Sequence, residues 1–527
     1  MSELTAPEGA GAQPRPETPD QTDWLKIYLG FGGMVLGQFM AFLDIQIVAS
    51  SLTQIQAGVG ASLDEIGWIQ SIYLLAEVVI IPLTAYLTKL WGTRPVYMAA
   101  TVVFIFASVA TGLSTSFEMM IVTRALQGMA AGAMVPAVFA AAMTTFPPEQ
   151  RITAQVLTSL VVTLAPTIGP TLGGHLTEQL SWRWLFFVNV PPGLLVLFLV
   201  GRYGGFDKGD PRLAKGIDWV GLMAMAAFLL ALQYVLEEGA RDGWFQDDLI
   251  LWLTVTAGIG AVVFVWRQLT YRQPIVSLRP FADRNFCVGA VMTFISGMSL
   301  FGGTFILPLF LAEILHYSSA EVGTTMLVSG LTMFMTAPVI GRFVRRAEPR
   351  LALMIGFSIA AYAVFRGARV NANWGFWQFA ILQALRAFGT LFANIGSQQM
   401  IVATLPTTLM KEASGLYNLI RYVGGAVGLA AISTLLSHQT AVHYSDLAAR
   451  ISTADPASAD LAAGLSALMA QSASLDPDGA GRKAFALMLH EKALTLAFGD
   501  AFLFLAAGCA VAALLAALAS PAKAKAG

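Results

Sequence analysis

Fourteen long apolar runs limit what this 527-residue chain can fold into. A run of about 20 apolar residues is what an α-helix needs to cross the hydrocarbon core of a bilayer. Runs of that length fall near residues 24–52, 66–88, 96–114, 118–143, 151–174, 184–202, 217–237, 248–268, 287–313, 321–342, 351–370, 376–402, 412–437 and 494–519. Composition agrees, with 56% of residues hydrophobic and 12% charged. Covering a soluble protein of this size takes roughly a quarter of its residues as charged groups. The reading is therefore an all-α polytopic membrane protein. Residues 1–23, rich in Pro, Gly and acids, read as a disordered lead-in and not as a signal peptide, and 520–527 as a tail.

The distribution of Lys and Arg tests the count, because basic residues concentrate in cytoplasmic loops. If the N-terminus is cytoplasmic, the inner loops carry sixteen Lys and Arg and the outer loops eight, four of those within 438–493. The short outer segments are acidic instead (Glu118, Glu237, Glu238, Asp247, Asp248). An even count puts both termini on the cytoplasmic side. A net charge of −1 offers no field for nucleic acid. Cys287 and Cys509 make neither a metal pattern nor a disulfide framework. The five histidines, at 175, 316, 438, 443 and 490, have no helical spacing to a partner ligand and read as lone surface residues.

An internal echo organises the chain. Span 4 contains Arg124-Ala-Leu-Gln127-Gly128 and span 12 contains Arg386-Ala-Phe-Gly389, eight spans later. Span 5 ends in glycines, and span 13 carries Gly424, Gly425 and Gly428. Two six-helix bundles follow, 24–202 and 287–519, with two inserted helices in 203–286. Transporters built from repeats place substrate near the midplane between the halves. The segment 438–493 is expected as a long periplasmic or extracellular loop, with two short amphipathic helices (461–470 and 483–489) around a Pro-Asp-Gly turn.

Few ionisable residues lie well inside the spans: Asp44, Glu77, Arg124, Arg386 and Arg421. Each costs about 2.5–3.5 kcal/mol on insertion scales and defaults to a functional role. At 1.5 Å per residue Asp44 and Arg124 lie ~12 and ~9 Å from the outer ends of spans 1 and 4, so a pair between them is expected. Burial disfavours the charged carboxylate and a nearby arginine favours it; a site that alternates between the two surroundings can take a proton on one side and release it on the other. The competing readings are a helix-tying salt bridge for Asp44, a water-facing polar group for Glu77, and a purely structural partner for Arg124. Gln127, Asn394 and Arg386 are expected as polar groups of a central cavity, and Arg421 as a donor to backbone carbonyls beside its glycines. Lys89, Gly92 and Arg94, after span 2, read either as positive-inside anchoring or as a charge latch, as do Arg342 to Arg350. Gly169, Pro170, Gly173 and Gly174, with Pro166, mark a nearly bare helix face for close packing or bending.

These residues resemble a known family, the fourteen-span drug:proton antiporters of the major facilitator superfamily, EmrB/QacA type. FMAFLDIQIV from Phe39 is similar to the span-1 signature LDxTIVNVALP. RALQGMAAG from Arg124 is similar to RxxQGxGxG, and APTIGPTLGG from Ala165 to the span-5 antiporter motif. WRWLFFVNVPPG from Trp182 resembles WRWIFFINVPIG, and PIVSLRPFADRNF from Pro274 resembles the stretch before span 9. The loop after span 2 departs: AYLTKLWGTR puts Lys89 where GxLADRxGRR has aspartate, as EmrB-like members also do.

The resemblance implies the major facilitator fold and a transporter, not an enzyme. It implies proton-coupled export of amphipathic drug-like compounds from the bacterial inner membrane, driven by the proton motive force without a cofactor. Partners would be a periplasmic adaptor protein and an outer-membrane channel. Export of a metabolite, fatty acid or siderophore on the same fold is the alternative, and a transport-dead sensor or scaffold a further one.

Overall fold

The computed structural model describes residues 24–450 and 477–517, apart from Ser50, Leu63, Asp64, Ile66, Lys208 and Ala403. Fourteen long helices run in chain order. Spans 1 to 6 are Trp24–Ala49, Trp68–Trp91, Thr93–Gly112, Phe117–Thr145, Pro148–Gln179 and Trp184–Tyr203. Spans 7 and 8 are Trp219–Glu238 and Asp248–Thr270. Spans 9 to 14 are Arg284–Glu313, Ser319–Arg346, Pro349–Gly367, Phe376–Val402, Met410–Arg450 and Pro477–Ala517. Thirteen of them are apolar enough to cross a bilayer. Span 5, 32 residues long, makes the fourteenth by length.

Local chemistry sets the boundaries. Ser116 caps span 4 through the amide of Met119, Asp218 caps span 7, and Asp283 caps span 9. Ser318 and Glu321 form a reciprocal capping box at span 10. Spans 2 and 3 are separated by Gly92 alone, at φ 90°, a backbone conformation that a side chain resists. That glycine is what the tight reversal after span 2 requires.

Spans 1, 4, 5 and 6 pack together with 2 and 3, and spans 9 to 14 make a second group. The groups meet along spans 5 and 10 on one seam, and along spans 2 and 13 on the other. Span 7 sits on the second seam, against both span 2 and span 13, and span 8 packs on span 7. Burial follows this order: 89% of the apolar stretch of span 4 is buried in protein, against 22% of that of span 8. Lipid offers no hydrophobic drive between helices, so close packing does the work. A Cβ on Gly128 falls 2.2 Å from the carbonyl oxygen of Tyr73, and one on Gly132 2.5 Å from that of Glu77. Spans 2 and 4 therefore touch backbone to backbone.

Two expectations change here. Residues 438–450 continue the helix of span 13, and 483–489 lies inside the unbroken helix of span 14, so neither is a separate loop element. Residues 438–450 contain neither Gly nor Pro, so nothing before Arg450 breaks the helix. The run 461–470, and the termini 1–23 and 520–527, lie outside the described residues. The bare face of span 5 is also narrower than its glycines imply. A Cβ on Gly169 falls 2.4 Å from Cβ of Gln46, so span 1 needs that glycine, and the carbonyl of Gly173 accepts from Ser51 Oγ at 3.4 Å. Gly174 faces open space. Span 5 runs as one helix through Pro166 and Pro170, whose side chains lie outside the described ones.

Candidate functional site

Three buried polar clusters lie along the interior. The first belongs to the first bundle. Arg124 of span 4 pairs with Asp44 of span 1, and both are fully buried. Apart from Arg124 Nη2, which has no partner among the described residues, the pair is well supplied with hydrogen bonds, which offset part of the desolvation of two charges. Gln127 Nε2 donates to Asp44 Oδ1 at 2.8 Å, and Asn189 Nδ2 to the same oxygen at 2.8 Å. Arg124 Nε donates to the carbonyl of Ile69 at 3.0 Å, and Nη1 to Gln127 Oε1 at 2.8 Å. Gln127 also donates to Ser108 Oγ at 2.8 Å. The guanidinium lies 4.4 Å from the ring centre of Tyr73, and Tyr73 in turn donates to the carbonyl of Ala41. Spans 1 to 4 and 6 are tied at one point.

The second cluster bridges the bundles. Glu77 of span 2 is 1% exposed, and its Oε1 accepts from the hydroxyl of Tyr422, on span 13, at 2.6 Å. Its other oxygen, Oε2, has no partner among the described residues. Beside it Arg421 donates to Asn418 Oδ1 at 3.1 Å and lies among the rings of Phe42, Tyr417 and Tyr422. Arg421 thus bonds a side chain, not the carbonyls that its glycine neighbours had suggested.

The third cluster joins spans 5, 12 and 13. Tyr417 donates to Asn394 Oδ1 at 2.8 Å. Gln398 Nε2 reaches Asn394 Oδ1 at 3.1 Å, Tyr417 Oη at 3.2 Å and Ser159 Oγ of span 5 at 3.2 Å. Tyr417 stacks on Phe139 with 4.8 Å between ring centres. Arg386 stands apart from all three, with Nε donating to Gln383 Oε1 at 2.9 Å.

One end of the molecule carries a clasp. Lys89 forms an ion pair with Glu412 at the start of span 13, and the neighbouring Lys411 pairs with Asp207 after span 6 and donates to the carbonyl of Thr88 at 3.2 Å. Arg345 Nη1 donates to Thr153 Oγ1 at 3.1 Å, closing span 10 onto span 5 at the same end. Arg94 bonds the carbonyl of Gly201 inside its own bundle, so it anchors and does not clasp. A cavity of about 560 Å³ lies elsewhere, between spans 7 and 8, lined by Trp219, Met223, Ile259 and other apolar residues. It faces the periphery and holds none of these polar groups.

The fold matches that of the proton:xylose symporter XylE with a TM-score of 0.58 over 93% of this chain and 95% of that one, at 12% identity, a likeness of fold alone. The family model described as Major Facilitator Superfamily matches residues 34–429. The colistin resistance protein EmrB of Acinetobacter baumannii is 33% identical over 433 residues, 81% of this chain and 83% of that one. The multidrug export protein EmrB of Escherichia coli K12 is 30% identical over 425 residues, 80% and 82% of the two chains.

The chain belongs to the Major Facilitator Superfamily, in its EmrB branch. It is a multi-pass membrane transporter rather than an enzyme. The second and third clusters lie between the two halves of the major facilitator fold.

Sequence reading paired Asp44 with Arg124, and the structure joins them; Gln127, expected beside Asn394 and Arg386 in a central cavity, is bonded into that pair instead. Sequence reading missed Asn189 and Ser108, although Asn189 stands inside the WRWLFFVNVPPG stretch and a buried amide there was a signal. Tyr422 and Glu412 were also missed; a tyrosine beside an intramembrane arginine, and an acid beside Lys411, were visible but had no local partner to explain them. The histidines are not all lone: His443 Nε2 meets Asp500 Oδ2 at 2.7 Å.

Proposed function

We propose that this chain is a proton-coupled efflux transporter that exports amphipathic, drug-like compounds by alternating access, as a secondary active carrier driven by the proton motive force with no cofactor. One observation carries the coupling: Glu77 is a buried carboxylate at the bundle interface whose hydrogen-bond partner is a neutral hydroxyl of the other half. A proton on Glu77 changes both the charge and the bond that spans the interface. Asp44 plays a second role. Its ion pair and two amide donors fix spans 1, 4 and 6, and Arg124 sets how readily that carboxylate gives up its charge.

The EmrB relatives support a bacterial inner membrane location, and the Lys and Arg alternation supports cytoplasmic placement of both termini. The Lys89 end is then cytoplasmic, and the clasp closes the two bundles on that side. Spans 13 and 14 are 41 residues each, ~60 Å long at 1.5 Å per residue and about twice the hydrocarbon core. Their outer portions project as a helical pair, which supports docking of a periplasmic adaptor and, through it, an outer-membrane channel.

The test is substrate-triggered proton release in inverted vesicles. Glu77→Gln abolishes release while binding of a neutral substrate persists; unchanged release sinks the proton role of Glu77. Deleting 450–485 is expected to abolish co-purification with an adaptor and to spare substrate binding in detergent, and an intact complex refutes the docking assignment.

A further inference from the structure

The two bundles treat equivalent arginines differently. Asp44 lies about twenty residues into span 1 and Gly303 about twenty into span 9, some 30 Å along each helix. In the first bundle Arg124 of span 4 reaches the span-1 position and finds a carboxylate. In the second, Arg386 of span 12 reaches the span-9 position and finds Gly303: a Cβ there falls 2.8 Å from Arg386 Nη1. No side chain stands at that span-9 position to serve as a counterion.

Arg386 is 4% exposed, its described hydrogen bond goes to neutral Gln383, and no carboxylate pairs with it among the described residues. A buried guanidinium without a counterion is costly, so a charge of opposite sign is the natural occupant of the site. A second group points the same way. Thr390, one helical turn on, is 3% exposed, and its hydroxyl has no partner among the described residues. The buried carboxylates Asp44 and Glu77 lie on spans 1 and 2 of the other bundle.

The geometry points to an anion subsite at Arg386, with Thr390 beside it, that takes the carboxylate head of an amphipathic cargo. A guanidinium offers a carboxylate two parallel N–H donors. The acids of the first bundle and the free arginine of the second thus divide the labour between proton and cargo. This assignment rests on the transport reading above.

The test is equilibrium binding to the full chain in nanodiscs, with dodecanoate, its methyl ester and dodecyltrimethylammonium as probes, with and without chloride. Wild type is expected to bind dodecanoate roughly ten- to a hundredfold more tightly than the ester, the span of one charge-assisted hydrogen bond. Arg386→Gln and Gly303→Asp, which installs the missing internal counterion, both erase that preference. Arg386→Lys keeps part of it and Gly303→Ala most of it, which separates loss of charge from loss of fold. A wild type without preference, or an Arg386→Gln variant that keeps it, overturns the subsite. Chloride that stabilises the wild type but is not displaced by dodecanoate overturns the cargo assignment. Because binding is read without transport, a failure here with Glu77-dependent proton release intact leaves the function standing; loss of coupling for every cargo, with the preference intact, does the reverse.

Discussion

The clasp at Lys89 gives the most direct handle on the conformational balance. Lys89 and Glu412 face each other across the bundle interface with side chains 32% and 9% exposed, and Lys411 and Asp207 with 15% and 24%. A partly exposed pair of this kind contributes about 1 kcal/mol. In a two-state rocking equilibrium that is about a fivefold change in the ratio of closed to open at this end. Lys89→Ala is expected to shift the ratio by that factor, and by more where Glu412, whose Oε2 already lacks a partner, is left buried and unpaired. Removing both lysines shifts it about thirtyfold if the pairs act independently, at ~1 kcal/mol each. Lys411 also bonds Thr88, next to Lys89, so a shortfall from additivity is expected.

The assay is pulsed electron spin resonance between labels at Arg202→Cys and Leu351→Cys, exposed positions on opposite bundles at this end, with Cys287 and Cys509 replaced. The charge swap Lys89→Glu with Glu412→Lys should restore the wild-type distance distribution. A Lys89→Ala distribution identical to wild type, or a swap that recovers nothing, refutes the clasp.

Other perturbations follow from the packing and the buried pair. Gly128→Ala puts a methyl 2.2 Å from a backbone oxygen that cannot move without its helix; a loss of about 1–3 kcal/mol is expected, read as a lower midpoint of thermal unfolding in detergent, while Gly174→Ala, into open space, leaves it unchanged. Asp44→Asn strands the Arg124 guanidinium at zero exposure and is expected to cost about 3–5 kcal/mol, seen as a fall in folded yield, and adding Arg124→Gln recovers part of that loss. Asn189→Ala removes one of two amide donors to Asp44 and is expected to cost about 1–2 kcal/mol by the same measure.

What could be read from the sequence divides along one physical line. Span number, span order and the level of Asp44 against Arg124 depend on quantities that run along a single helix: apolar length, rise per residue and loop charge. Those were legible, and Asp44 and Arg124 meet as depth required. Pairings that depend on how one bundle is rotated against the other were not. Glu77 with Tyr422, Lys89 with Glu412, and Gln398 with Ser159 join residues hundreds of positions apart, with no shared period to announce them. Lys89 stands where the GxLADRxGRR pattern has aspartate, and the sequence shows no acid for it to meet; the structure supplies Glu412 from the opposite bundle. The arginine echo behaves in the opposite way. Arg124 and Arg386 look alike in sequence, yet Gly303 removes from the second what Asp44 gives the first. A buried arginine that meets a glycine where its counterpart meets a carboxylate is, in a membrane interior, a functional position by default.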